Sequence, residues 1–538
     1  MDLLIPMSGQ GARYREAGYR EPKPLVPING TPMIERVLSC FPVDWRATFV
    51  LAANHLDTEL PSALRRLRPE ARQMVIPAHA KGPSFAIRGA LDSMNDDTSV
   101  FVSYCDFGMV FDPRHFERFV ADTSCDACVV SYRGFHAHYL SPTTYAYSRL
   151  EGDRVVEVRE KASFTDDREQ EFAQAGAFYF RRADVLRDAI DYQLANELTC
   201  HGEYYTSLTI EALLRMRPES HVRVFEIPAF FQWGTPADLR AFEYWETSYR
   251  AYNRLAARPR PRVSQILMPM AGGGARFSAR TRVPKPLIPV HGRPMFAEAL
   301  RSLPTAGRTV IVTLRAIQAA SPELSEQGMN VVALASTPAG QALSVEAGLL
   351  EIDDLGDILV SSCDHGIVID PATIERLTSQ SVTCDAAVFT ITGYPGVDRS
   401  PMAYAYVVPD ASDADPFPRI QRVSVKTPIS AMPSQAPLLV GTFWFRTRDI
   451  LSRGLAELKR RNQLVNGELY LDGIADVLAS MGCIVRMVPL DGYLGWGDPD
   501  ALAEALYWRD VFCGFGSQPR ERLPGVPGLM QKGPANGR

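Results

Sequence analysis

The sequence predicts an α/β protein made of two tandem domains, each a mostly parallel mixed sheet flanked by helices. Three observations carry this. Short apolar runs of strand character alternate with stretches of helical periodicity, the pattern of crossover-connected parallel strands. One ordered set of motifs is written twice along the chain. And 538 residues are too many for a single core.

Taken in order, Leu3 to Met7 reads as a buried strand and ends in the glycine-rich turn Ser8-Gly9-Gln10-Gly11. Pro32 to Phe41 reads as a helix, Ala47 to Ala52 as a strand, Leu60 to Leu67 as a helix and Gln73 to Ile76 as a strand. Pro83 to Met94 has helical character, and Ser99 to Tyr104 is an apolar strand closed by Cys105-Asp106. The runs Ala127 to Tyr132, Tyr145 to Leu150 and Gly176 to Phe180 read as strands without intervening helices, a mixed-sheet extension over a pocket.

The repeat is regular. Gly9 returns as Gly272, 263 residues later, and Asp106 as Asp364, 258 residues later. Pro142-Thr143-Thr144-Tyr145-Ala146-Tyr147 returns as Pro401-Met402-Ala403-Tyr404-Ala405-Tyr406, and His201-Gly202-Glu203-Tyr204-Tyr205 as Asn466-Gly467-Glu468-Leu469-Tyr470. A domain of roughly 250 residues, repeated once, fits the spacing. Domain 1 is expected over 1–253 and domain 2 over 264–513. Between them, 254–263 is a basic, proline-containing linker, and the Gly- and Pro-rich 514–538 is an expected disordered tail.

Bulk composition narrows the classes. A net charge of -5 and a pI near 6.1 argue against a nucleic-acid or anionic-membrane partner, while leaving local basic pockets for phosphate. No apolar run approaches the roughly 18 residues of a membrane span. The opening Met1-Asp2-Leu3-Leu4-Ile5-Pro6 lacks the basic region of a signal peptide, so a cytoplasmic protein without membrane insertion is expected. Cys125 and Cys128 form one Cys-x-x-Cys, but the second copy has Ala387 in place of Cys128. Buried strand thiols are the expectation.

Several residue types point to phosphate chemistry. A glycine turn after the first strand lets an anion approach backbone N–H groups, and Arg13 adds a cation of bidentate reach. Arg276 follows the matching Gly272-Gly273-Gly274. Neither turn has the dinucleotide-binding or P-loop spacing. Lys23 stands between Pro22 and Pro24, and Lys285 between Pro284 and Pro286. The prolines forbid helix and stiffen the loop that presents each lysine. Asp106 and Asp364 each close an apolar strand, where open α/β sheets bind ligands and where a carboxylate can hold Mg²⁺. Asp112 and Asp370, each before a proline, read as turn residues. Lys161 and Lys426 read as grips for an acceptor phosphate or as strand-end surface lysines. Glu203 and Glu468 read equally as hydroxyl acceptors and as helix-start caps. Choice of base is expected to rest on 78–84, where His79 could touch the base or be a solvated loop residue.

Together, Pro6-Met7-Ser8-Gly9-Gln10-Gly11-Ala12-Arg13-Tyr14, Pro22-Lys23-Pro24-Leu25, Cys105-Asp106, Glu160-Lys161, His201 to Tyr205 and Gly234-Thr235-Pro236 resemble the sugar-1-phosphate nucleotidyltransferases. The likeness is to the branch of capsule and surface-polysaccharide biosynthesis. It implies a GT-A-like (Rossmann-type) fold in each copy and an NTP and a phosphorylated small-molecule acceptor as substrates. Mg²⁺ (or Mn²⁺) is the implied cofactor, pyrophosphate the product, and a homo-oligomer is compatible. By resemblance Arg13, Lys23, Arg276 and Lys285 are catalytic. Gly9, Gln10, Gly11, Gly82, Gly272, Gly273, Gly274 and Gly340 bind the nucleotide. Asp106 and Asp364 bind metal, and Glu160, Lys161, Glu203, Lys426 and Glu468 bind the acceptor. The sequence departs from the family in two places. The second metal-binding aspartate is replaced by Gln232 and Gly495, leaving Asp498 as an alternative carboxylate, and Val425 stands where the first copy has Glu160, which weakens the second acceptor site. Two other readings compete: a cytidylyltransferase acting on a non-sugar phosphate or phosphonate, and a nucleotide-sugar sensor or scaffold with one or both copies inactive.

Overall fold

Two nine-stranded sheets, each flanked by helices, organise the computed structural model. It describes residues 1–141, 145–321, 324, 328–379, 382–462, 464 and 467–514. The repeat residues Pro142 to Thr144 and Asn466, and the tail from 515 onward, lie outside the described residues. The chain divides into two units, Met1–Glu243 and Tyr244–Arg538.

In the first unit, strand Asp2–Met7 pairs in parallel with Arg46–Ala52 on one side and Val100–Ser103 on the other. Arg72–Ile76 extends the sheet in parallel beyond Arg46–Ala52. Past Val100–Ser103 the sheet turns mixed. Phe172–Phe180 runs antiparallel to it, to Ala127–Tyr132 and to Tyr147–Glu151, which forms a hairpin with Arg154–Arg159. The continuous apolar runs follow from burial on both faces. Leu4, Val50, Val102 and Phe178 meet the helices Pro83–Leu91, Ala183–Ala195 and Thr206–Met216 through Ile87, Leu186, Ile190 and Leu213. On the other side of the sheet Phe101 meets Phe41, Trp45 and Phe116.

The second unit has the same strand order. Arg262–Pro269 lies between Thr305–Leu314 and Ile358–Ser361, all parallel, with Asn330–Leu334 beyond. Leu438–Phe445 runs antiparallel to Ile358–Ser361 and to Ala386–Ile391, and Ala405–Pro409 pairs with Ile420–Val425. The α/β class with mixed sheets is thus present twice, parallel and antiparallel pairings being evenly divided in each. The division after Glu243 falls inside the helix Pro236–Leu255, ahead of the basic stretch 254–263. In the second unit Tyr249 donates to the Ala505 carbonyl at 2.7 Å and Trp245 to Glu504 at 3.2 Å, so this aromatic segment is core while Arg258 and Arg260 are exposed.

Asp112 and Asp370 are helix N-caps. Asp112 accepts the N–H groups of Arg114 and His115, and Asp370 that of Ala372. Cys125 and Cys128 are both buried, and burial pushes both thiols up. No helix among the described residues is long and apolar enough to cross a membrane.

Candidate functional site

In each unit the strand-end aspartate meets the lysine held between prolines. Lys23 Nζ donates to Asp106 Oδ2 at 2.5 Å, and Lys285 Nζ to Asp364 Oδ2 at 2.6 Å. The pairs are alike in exposure, 18% and 29% in the first unit and 17% and 27% in the second, so each remains reachable from its cleft. Burial alone would raise the Asp364 carboxyl. The Lys285 charge and the bond from His365 outweigh it and hold Asp364 below the ordinary carboxylate range.

The glycine turn is built against this lysine. Gly11 and Gly274 have φ of 60° and 62°, and a Cβ on them would lie 3.2 and 3.0 Å from Cβ of Lys23 and Lys285. Close approach, with left-handed backbone, explains glycine there. Around Gly9, Gly272 and Gly273 nothing lies within 4 Å of such a Cβ, so these positions border open space. Arg13 and Arg276 are exposed on the short helices that follow.

The second unit encloses a cavity of about 730 Å³. Gly272, Gly273, Gly274, Arg276 and Lys285 line one part, and Gly340, Asp364, Lys426 and Glu468 complete the wall. Every residue assigned to the second copy from sequence therefore faces one hollow. In the first unit the equivalents gather by contact. Tyr14 donates to the Trp233 carbonyl at 2.6 Å, and the Lys23 ammonium lies 5.7 Å from the Tyr14 ring. Tyr104 accepts from the Thr206 N–H at 3.2 Å, and the charges acting on its phenol include Glu160 and Asp106.

Gly82 and Gly340 answer to the backbone of the later motif. Tyr204 N–H donates to Lys81 and its carbonyl accepts from Ser84, and Leu469 pairs likewise with Ala339 and Ala342. Glu203 and Glu468 are thereby fixed beside the glycines, and neither caps a helix: the helix Thr206–Met216 has no side-chain cap. Lys161 and Lys426 have φ of 57° and 54° and donate to Tyr205 and Tyr470 hydroxyls at 3.0 and 2.6 Å. Left-handed backbone is uncommon at a lysine, and here it occurs at both positions of the repeat. His79 Nδ1 accepts from the Lys81 N–H at 3.1 Å, which ties the ring to its own loop.

Among the described residues no group of three or more His, Cys, Asp or Glu side chains is placed to hold an ion. Mg²⁺ commonly takes one or two carboxylates and completes its shell with phosphates and water. Asp106 fits as the carboxylate of the first unit. Beside it, Gln232 Nε2 donates to Asp238 Oδ2 at 2.8 Å, leaving the buried Oε1 without a hydrogen-bond partner, and an oxygen of that kind suits a hard cation. A Cβ on Gly234 would lie 3.5 Å from that amide and 3.6 Å from Asp106 Oδ2, so the two side chains are neighbours. Burial raises the Asp238 carboxyl against its bonds from Thr235 and Gln232. Asp498 caps the helix Pro499–Cys513, its Oδ1 accepting the N–H groups of Asp500 and Ala501, while its Oδ2 lies 3.8 Å from the Arg276 guanidinium. Asp498→Ala is expected to cost the second unit about 1 kcal/mol in thermal unfolding and to leave Mn²⁺ binding, read by electron paramagnetic resonance, unchanged.

Sequence reasoning passed over Tyr14, Tyr104, Asp238, Tyr205, Tyr470 and Asp472. For the last the signal was available. At the constant shift of 265 residues that carries Glu160 to Val425 and Lys161 to Lys426, Ser207 becomes Asp472.

Comparison with known proteins gives a family. The model of the MobA-like NTP transferase domain matches residues 3–165 and again 269–428. No curated protein sequence matches the chain. Solved structures that match include a nucleoside-diphosphate-sugar pyrophosphorylase from Vibrio cholerae RC9, 16% identical over 44% of this chain and 97% of that one, with a TM-score of 0.36. Another is the inositol-1-phosphate CTP transferase from T. maritima, 16% identical over 47% of this chain and 98% of that one, also with a TM-score of 0.36.

Proposed function

The chain belongs to the family of MobA-like NTP transferase domains and is a nucleotidyltransferase; from that premise we propose that each unit joins an NTP to a phosphorylated small acceptor, a sugar 1-phosphate or close analogue, and releases pyrophosphate. The single observation that carries the reading is the repeated lysine–aspartate pair under a glycine turn, Lys23–Asp106 and Lys285–Asp364.

In the proposed reaction an oxygen of the acceptor phosphate attacks the α-phosphorus of the NTP. The bond from that phosphorus to the bridging oxygen breaks, and pyrophosphate leaves with the electron pair. No protein nucleophile is needed, because positioning and charge neutralisation lower the barrier. The turns at Gly9–Gly11 and Gly272–Gly274 offer backbone N–H groups to the triphosphate, with Arg13 and Arg276 at the mouth. Lys23 and Lys285 place a cation beside the reacting phosphorus. Lys161 and Lys426, held by Tyr205 and Tyr470, face the acceptor phosphate, and Glu160, Glu203 and Glu468 accept its hydroxyls. Asp106, with Gln232 beside it, and Asp364 would hold Mg²⁺, which when bound neutralises triphosphate charge. The pathway proposed is nucleotide-sugar supply for surface polysaccharide.

The test is pyrophosphate release by the full chain with ATP, CTP, GTP, TTP and UTP against a set of sugar 1-phosphates, inositol 1-phosphate and phosphonates. Release with one base and one acceptor class is expected. Nucleotide binding without release from any pair would favour a sensor instead.

A further inference from the structure

The two units have exchanged a carboxylate between facing walls. In the first, Glu160 follows strand Arg154–Arg159 and is bonded to Ser207 on the helix Thr206–Met216. In the second, Val425 ends strand Ile420–Val425, and Asp472 occupies the position of Ser207, in the turn Leu471–Gly473. Since Ser207 and the Glu160 carboxylate touch, an aspartate at the serine's place puts its own carboxylate where they meet. The apolar Val425 vacates that space. The charge acting on the Asp472 carboxyl is that of Lys426, whose ammonium is itself hydrogen-bonded to Tyr470.

A second change lies next to it. Tyr104 becomes Ser362 258 residues later. At the same shift Pro83 becomes Gln341 and Ala86 becomes Ser344. All three replacements line the 730 Å³ cavity, and Gln341 Nε2 donates to Ser362 Oγ at 2.8 Å. Beneath them Phe107 becomes His365, bonded to Thr442 at 2.8 Å where the first unit has Ala177. Two aromatic side chains of the first unit, Tyr104 and Phe107, have thus given way to hydrogen-bonding ones, Ser362 and His365. Gln341, Ser362 and His365 each have a hydrogen-bond partner, so these changes are built rather than tolerated.

We propose that the second unit is a separately selective transfer site. In it Asp472 replaces Glu160 as the carboxylate facing the acceptor, and the space of the Tyr104 ring admits an acceptor with a bulkier polar substituent, such as an acylamino group. The proposal rests on nucleotidyl transfer as the function of both units. It is an alternative to the expectation that Val425 weakens the second acceptor site. Supporting it, burial raises the Asp472 carboxyl to about 6 against the opposing charge of Lys426. A buried acid held at a stability cost is more often functional than structural.

The experiment measures pyrophosphate release by Lys285→Ala, which leaves the first unit working, and Lys23→Ala, which leaves the second. Glucose 1-phosphate and N-acetylglucosamine 1-phosphate are the acceptors. The kcat/KM ratio of the two acceptors is expected to differ at least tenfold between the proteins, the acylamino acceptor favouring Lys23→Ala. Added to Lys23→Ala, Asp472→Asn should raise the acceptor KM about tenfold and leave the NTP KM within twofold. Ser362→Tyr should shift the preference toward glucose 1-phosphate. Equal acceptor ranking in the two proteins, or no turnover by Lys23→Ala, overturns the proposal while transfer itself stands. No release by the unaltered chain overturns both. Folding is read separately. The raised folded-state value means stability is greatest below the unfolded carboxyl's range, near 4, and is lost as pH rises through about 6. Asp472→Asn should therefore raise the melting temperature by a few degrees above pH 6, a gain that fades toward pH 4, and a fall at pH 8 would count against a buried, charged Asp472.

Discussion

Alanine at both Lys23 and Lys285 is expected to lower pyrophosphate release by roughly a hundred- to a thousandfold, the usual effect of removing a preorganised charge from a developing anion. Each single substitution should silence only its own unit, because each lysine contacts the aspartate of that unit, Asp106 or Asp364. The steady-state rate of either single variant with the other unit's substrates should stay within twofold of the unaltered protein. Loss of both activities from one substitution would mean a single composite centre, and the two-site reading would fall. Stability should fall along with activity. Each pair places an ammonium and a carboxylate at close range with limited solvent, and removing the lysine strands the partner carboxylate. Lys285→Met, which keeps the stem without the charge, separates packing from electrostatics: the same loss of rate is expected.

Gly340→Ala carries the largest expected structural effect. Its φ is 121°, and a Cβ would lie 2.4 Å from the carbonyl oxygen of Leu469 and 2.5 Å from its nitrogen. Backbone on both sides cannot yield without breaking the Ala339–Leu469 and Leu469–Ala342 hydrogen bonds. Strain and clash together should cost roughly 3 kcal/mol or more, a fall of about 6–12 °C in the melting of the second unit. Gly272→Ala is the matched contrast. Nothing lies within 4 Å of its added Cβ, so melting should be unchanged, within about 0.5 kcal/mol, while the NTP KM rises because the methyl stands in the ligand's approach. If Gly272→Ala instead destabilises as strongly as Gly340→Ala, the open space beside that turn is not a binding surface. Scanning calorimetry on the full chain resolves the two outcomes.

Much of the site was legible because the chemistry is local. Glycine turn, proline-held lysine and strand-end aspartate each announce themselves within a few residues, and their repetition fixed the pairing of units before any coordinates. What was not legible involves partners far apart in sequence. The Glu203 and Glu468 motifs were open between cap and ligand until the backbone pairing of Tyr204 with Lys81, and of Leu469 with Ala339, showed why a glycine must sit opposite. Asp498 read as a spare metal ligand, and only its two backbone donors show that it is a cap. The lost aspartate at Gln232 read as a vacancy, whereas the fold sets a buried amide oxygen there beside Asp106.

The sequence by itself determined the class, the doubling and the identity of the charged groups, since strand periodicity, glycine turns and proline-held loops are short-range properties of the chain. Tertiary structure alone decided which groups face one another. The pairing of Glu160 with Ser207, from a strand end and a helix start 47 residues apart, is visible only when strand and helix are brought together. Packing distance, which linear spacing does not encode, is the reason.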